Sequence, residues 1–74
     1  MAEYIHMEKF VKRIKALRQD RGMTQVEFAK AINVAGATVA HWECGGRMPS
    51  INMLVRIADF YNVTTDFLLG RIDY

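Results

Sequence analysis

The stretch TQVEFAKAINVAGATVAHW, residues 24–42, decides the fold of this chain of 74 residues. Thr24 followed three residues later by Glu27 is the pattern of a capping box, in which each side chain satisfies a backbone N–H group at a helix start. Apolar residues follow at helical spacing, and Asn33 tolerates the left-handed conformation that ends a helix. The pattern therefore predicts a helix from Thr24 to about Ile32.

A second short helix is predicted after a tight turn. Val34 supplies an apolar side chain in that turn, and Val39 and Trp42 lie three residues apart on one face of a helix that runs to about Glu43. Helices shorter than about 12 residues are marginal in water, so the two must pack across each other. This is the helix-turn-helix arrangement, whose second helix can lie in the major groove of DNA.

Three more helices are predicted around this pair. The first runs from about Met7 to Arg21, and its apolar stripe consists of Phe10, Ile14 and Leu17. Ser50 is a good cap residue for a helix over about 51–61, and a last short helix begins at Thr64 or Thr65 and runs through Leu69. The sequence thus predicts an all-α, compact five-helix fold without strands.

The composition is typical of one small globular domain. Hydrophobic residues make up 51% of the chain and only one residue is proline. We expect the domain at residues 7–70, between a flexible extension at 1–6 and a C-terminal tail at 71–74. No run approaches the roughly 20 apolar residues of a membrane span, and no signal peptide is evident. The protein is therefore expected to be soluble and cytoplasmic.

The residue types that carry catalysis or bind metals do not form a recognisable pattern. Cys44 is the single cysteine, and the two histidines make no metal-ligand spacing with it. There is no nucleophile with a base at a known spacing, no acid pair and no phosphate loop. We expect no enzyme activity, no cofactor and no small-molecule substrate.

Positive charge is concentrated in one segment. Between Glu8 and Arg21 six basic residues stand against two acidic ones, although the net charge of the whole chain is only +2. This clustering is compatible with a polyanionic partner and equally with a basic, solvated helix face.

Three segments carry a resemblance to a known family: RIKALRQDRGMTQVEFAKAI (13–32), WECGGRMPS (42–50) and ADFYNVTTDFLLG (58–70). The chain resembles the lambda-repressor-like helix-turn-helix family, the Xre and Cro type of transcriptional regulator. The resemblance implies five helices, the third as recognition helix, binding to double-stranded operator DNA and usually a homodimer.

The contacts of this family can be carried over to the matching residues. Phosphate contacts fall on Gln25 at the start of the second helix and on Arg47 after the third. A helix N-terminus attracts anions, and a glycine-rich loop lets an arginine approach the DNA backbone. The alternatives are that Gln25 fills the first helical turn and that Arg47 is a solvated loop charge.

The family's base-reading positions fall on Gly36, Ala37, Thr38 and His41, which carry no permanent charge. Ala35 replaces the usual cap residue, so the third helix is expected to start raggedly. Thr38 can touch a thymine methyl or a base edge, and His41 can bond to a purine. The alternative for His41 is an exposed polar residue without a ligand. We therefore expect weak sequence discrimination.

The resemblance also places Arg18 and Glu43 together as an ion pair between the first and third helices. Each lies at the edge of an apolar stripe, where an unpaired buried charge costs several kcal/mol. The alternative is two separate surface charges.

Two functions remain open. The first is a sequence-specific DNA-binding transcriptional regulator, acting as a homodimer through apolar area contributed by Phe60, Leu69, Ile72 and Tyr74. The second is a protein-interaction module of the same fold with little DNA readout, such as an antitoxin or antirepressor partner. The bare recognition face motivates this second interpretation.

Overall fold

The computed structural model describes residues 2–74, with side chains described from residue 5 onward. Its helices are α1 (Ala2–Asp20), α2 (Gln25–Ala31), α3 (Gly36–Glu43), α4 (Ile51–Tyr61) and α5 (Thr65–Leu68). No strand occurs among these described residues, and none of their helices has the length and apolar character needed to cross a membrane. The predicted all-α, five-helix fold is confirmed.

Helix α1 begins earlier than the sequence pattern indicated. It starts at Ala2, whereas the prediction placed its start at about Met7. The stretch up to His6 contains no glycine or proline, and Ile5 and His6 are exposed, so this turn needs no apolar periodicity at those positions. Nδ1 of His6 also lies 2.6 Å from the carbonyl oxygen of Leu69, which ties this turn to the end of α5. Met1 lies outside the described residues, and the flexibility expected for residues 1–6 stays a prediction.

The predicted caps of α2, α4 and α5 are present. The Thr24 hydroxyl accepts from the backbone N–H of Glu27 at 3.1 Å, and the Glu27 carboxylate accepts from the N–H of Thr24 at 2.8 Å. The hydrogen bond from the Thr24 backbone lowers the pKa of Glu27. Ser50 and Thr64 accept from the third residues of α4 and α5 in the same way. Local sequence thus sets where these helices begin.

The core is built from all five helices. Its largest fully buried side chains are Phe10, Phe28, Ile14, Ile57, Leu68 and Val39. Trp42 and Tyr61 are 3% and 4% exposed and close the core at its edges. The Tyr61 hydroxyl has no hydrogen-bond partner among the described residues, and burial raises its pKa to about 12. The helix-turn-helix pair, α2 and α3, therefore packs on a core that it shares with α1, α4 and α5.

Arg13 fastens α5 and the segment after it to α1. Its Nη1 donates to the carbonyl oxygens of Phe67 at 2.5 Å and Ile72 at 2.6 Å, and its Nη2 pairs with Asp73 at 3.3 Å. The guanidinium carbon lies 4.3 Å from the centre of the Phe67 ring. Arg13, which belongs to the basic segment between Glu8 and Arg21, therefore binds groups of the protein itself.

Lys9, one turn before Arg13 on α1, makes a second attachment. Its Nζ donates to the carbonyl oxygen of Gly70 at 3.1 Å. Gly70 is buried with a φ of +74°, and a β-carbon there would lie 2.6 Å from Cβ of Lys9. We call His6, Lys9 and Arg13, with the carbonyl groups that they bind, the C-terminal clamp.

Candidate nucleic-acid interface

The turn between α2 and α3 occupies residues 32–35. Asn33 has a φ of +62°, in the left-handed region expected for it. The backbone N–H of Val34 then donates to the carbonyl oxygen of Ala29 at 2.9 Å, and the Val34 side chain packs against the core. The turn therefore fixes α3 across α2, as the helix-turn-helix pattern predicted.

Helix α3 starts without a side-chain cap. Ala35 occupies the N-cap position with φ −72° and ψ 147°, and it makes no side-chain hydrogen bond there. Its backbone carbonyl accepts from the N–H of Thr38 at 3.0 Å. The missing cap agrees with the sequence analysis.

Replacing Ala35 by serine is expected to stabilise the folded protein by about 1 kcal/mol. The backbone already has the extended conformation of an N-cap, and a serine oxygen can accept an unsatisfied N–H of the first turn. Urea unfolding followed by far-UV circular dichroism measures the change. The matched control is Ala37→Ser, which adds the same hydroxyl inside the helix and gives no such gain. Equal effects of the two substitutions would contradict the capping argument.

Thr38, His41 and Arg47 line one groove of about 270 Å³ between α3 and the start of α4. The other lining residues are Val34, Trp42, Met48, Pro49, Ser50 and Met53. The carbonyl oxygen of His41 accepts from the backbone N–H groups of Gly46 at 2.9 Å and Arg47 at 3.3 Å, which holds the loop against α3. Two proposed base readers and one proposed phosphate contact thus share a surface.

The polar ends of this groove face solvent. His41 and Arg47 are exposed, and Thr38 is half-buried. Within residues 2–74, Arg47 takes part in none of the ion pairs. Its guanidinium is therefore available to an anionic ligand.

The other three predicted site residues lie outside this groove. Nε2 of the half-buried Gln25 donates to Oε1 of Glu43 at 3.2 Å. Gly36 packs against Val26, and Ala37 is exposed. The structure therefore brings together three of the six predicted residues, and it directs one N–H of the Gln25 amide toward the protein.

Arg18 and Glu43 form the ion pair that was predicted between α1 and α3. Arg18 Nε lies 2.6 Å from Oε2 of Glu43 and its Nη2 lies 2.9 Å from Oε1. The side chains are only 12% and 4% exposed. The hydrogen bond to Glu43 raises the pKa of Arg18, whose Nη1 also donates to the carbonyl oxygen of Met23 at 2.7 Å. The pair holds the C-terminal end of α3 against α1.

Several cations of the basic segment are engaged inside the protein. Lys9 and Arg13 belong to the C-terminal clamp, and Arg18 pairs with Glu43. The guanidinium carbon of Arg21 lies 5.2 Å from the centre of the Tyr61 ring. These contacts account for Lys9, Arg13 and Arg18 within the protein, whereas Arg21 is exposed and stays compatible with a solvated face. The role of Arg18 was predicted, whereas those of Lys9 and Arg13 were missed because their partners are backbone carbonyl groups.

Comparison with known proteins supports the same arrangement. The helix-turn-helix family model matches residues 14–68. The chain is 38% identical over 60 residues to the HTH-type transcriptional regulator ImmR of Bacillus subtilis (strain 168), an alignment that covers 81% of this chain and 47% of ImmR. It is 36% identical over 59 residues to the HTH-type transcriptional regulator AnsR of the same organism, covering 80% of this chain and 51% of AnsR.

A third relative is closer to this chain in length. The uncharacterized HTH-type transcriptional regulator YazB of Bacillus subtilis (strain 168) is 37% identical over 57 residues, which cover 77% of this chain and 83% of YazB. In contrast, the chain spans only about half the length of ImmR and AnsR. The family match runs from the middle of α1 to the end of α5 and includes both helices of the helix-turn-helix pair. The chain therefore belongs to the lambda-repressor-like helix-turn-helix family, the Xre and Cro type of transcriptional regulators.

Proposed function

We propose that this protein binds double-stranded DNA sequence-specifically, with α3 in the major groove, and regulates transcription. The observation that carries the proposal is the groove shared by Thr38, His41 and Arg47. A guanidinium suits a phosphate, and side chains on an adjoining helix face can reach base edges. The names of the relatives, which describe transcriptional regulators, support the same function.

The proposed interface divides into two sets of contacts. Arg47 and Gln25 hold phosphates, and Gln25 does so with the amide N–H that does not face Glu43. The base-facing positions are Gly36, Ala37, Thr38 and His41. Because only two of these carry a hydrogen-bonding side chain, discrimination between sequences is weak.

We propose a homodimer as the binding form. Phe60, Leu69, Ile72 and Tyr74 contribute its apolar contact, and Tyr74 is 87% exposed. A twofold contact sets two recognition helices one DNA turn apart, about 34 Å. In this proposal the folded domain at 7–70 lies between an extension and a tail, acts in the cytoplasm where bacterial DNA lies, and needs neither a cofactor nor enzymatic activity.

The second candidate is a protein-interaction module of the same fold with little DNA readout. The first turn of α3 has no polar side chain before Thr38, and the Gln25 amide already bonds to Glu43. Both observations reduce the contacts that DNA could make.

Replacing Arg47 by alanine is expected to weaken binding to preferred and random duplexes alike. One phosphate contact is lost, so the slope of log affinity against log salt becomes shallower by about 0.9. Fluorescence anisotropy over a salt titration measures both quantities. The matched control is Arg71→Ala, which removes an exposed arginine after α5 that pairs with Asp66 at 3.5 Å. A flat salt response of the unmodified protein would favour the protein-interaction module.

Alanine at His41 or Thr38 is expected to lower the ratio of preferred to random affinity. Each lost base contact accounts for at most about 1 to 3 kcal/mol, and the salt slope stays nearly unchanged. The same anisotropy titrations report the ratio. An unchanged ratio in both variants, together with its loss in Arg47→Ala, would mean that DNA shape rather than base contact is read.

A further inference from the structure

Val26 is an apolar side chain that the fold leaves in solvent on α2. It is 54% exposed, whereas Phe28 and Ala29 on the same helix are buried. Single exposed apolar residues are common on protein surfaces. Val26 is therefore distinguished by its position next to the start of α3, and not by its exposure alone.

The first residue of the recognition helix lies directly against Val26. A β-carbon on Gly36 would lie 3.3 Å from Cγ2 of Val26 and 4.0 Å from its Cα. Val26 also follows Gln25, a proposed phosphate contact, along α2. Val26 thus lies against Gly36, a base-facing position of the proposed interface, and follows a phosphate-contacting position in the sequence.

The residues at the start of α3 beside this contact are apolar. Ala35 and Ala37 are exposed and flank Gly36, so none of these three residues offers a side-chain hydrogen bond. The major groove presents one apolar feature, the C5 methyl group of thymine. The chemistry at this end of α3 therefore matches a methyl group and not the donors and acceptors of a base edge.

We propose that Val26 is a specificity-determining residue that contacts the C5 methyl of a thymine beside the first turn of α3. This inference rests on the proposed DNA-binding function and names the base that its apolar end selects. Val26 supplies the contact from α2, beside the position where Gly36 of α3 has no side chain.

The experiment first selects the preferred duplex of the unmodified protein from a random pool. Each thymine is then replaced singly by deoxyuridine, which removes only the methyl group, and the Kd is measured. We expect about fourfold weaker binding at one thymine per half-site, which corresponds to one buried methyl group. The Val26→Ala variant is expected to bind the thymine duplex about fourfold more weakly than the unmodified protein does. Deoxyuridine is expected to weaken the binding of this variant no further.

The matched control is Val55→Ala, which removes an exposed valine of α4 that is 45% exposed. It is expected to retain the full deoxyuridine effect. Alanine favours helix at position 26, and circular dichroism verifies that the variant is folded. A deoxyuridine effect that is absent in the unmodified protein, or unchanged in Val26→Ala, overturns the role of Val26 while specific DNA binding stands. Selection of no preferred duplex overturns the proposed function itself, and the role of Val26 with it.

Discussion

Replacing either Arg18 or Glu43 by alanine is expected to destabilise the folded protein by about 3 kcal/mol or more. Each substitution leaves the other charge in a site where the two side chains are 12% and 4% exposed. Loss of Glu43 also removes the acceptor of the Gln25 amide. The double substitution is expected to cost less than the sum of the two, because no uncompensated charge remains.

Urea unfolding of the four proteins of this cycle gives the coupling energy. The matched control is the pair of Arg71 with Asp66, whose side chains are 64% and 50% exposed at 3.5 Å. An exposed pair of this kind is worth about 0.2 to 1 kcal/mol, so its cycle is expected to be nearly additive. Strict additivity in the Arg18 and Glu43 cycle as well would contradict a coupled buried pair.

Replacing Gly70 by alanine is expected to destabilise the protein by about 3 kcal/mol. A φ of +74° costs an L-residue about 1 kcal/mol, and overpacking adds about 1 to 3 kcal/mol. The new β-carbon would lie 2.6 Å from Cβ of Lys9, which is fixed to the backbone of α1 and cannot swing away. The helix and the segment after α5 must therefore move apart.

Gly22→Ala is the control for the backbone contribution. Gly22 has a similar φ of +65°, and a β-carbon there would have no neighbour within 4 Å. Its substitution is expected to cost only about 1 kcal/mol. Thermal and urea unfolding of the two variants compare the costs. If the Gly70 variant were no less stable than the Gly22 variant, the structure would accommodate the new β-carbon beside Lys9 at little cost in stability.

The features that could be predicted from sequence depend on residues a few positions apart. Asn33 and Asn62 both have positive φ, and in each case the next residue, Val34 or Val63, donates its N–H to an alanine carbonyl at 2.9 Å. Such helix ends are encoded by local conformational preference. The capping box at Thr24 is local in the same sense. For this reason the element types and most of their bounds were predicted correctly.

The contacts that the sequence analysis missed involve chemical groups that occur too widely along the chain to indicate a particular partner. Lys9 and Arg13 bind carbonyl oxygens 61 and 54 residues away, and every residue possesses such a carbonyl. The direction of Gln25 was equally hidden, since an amide can donate to a phosphate or to a carboxylate. In contrast, the shared position of Thr38 and His41 follows from their spacing of three on one helix, which places them on the same face.

The C-terminal clamp also has a consequence for synthesis on the ribosome. The residues of α1 that form it are translated before their carbonyl partners at 67–72, which come some 60 residues later. Until that segment has left the exit tunnel, Arg13 and Lys9 lack their native partners, and α1 lacks its contacts with α5 and the residues after it. The nascent chain therefore completes the native contacts of this domain only after residues 67–72 have been translated and have left the exit tunnel.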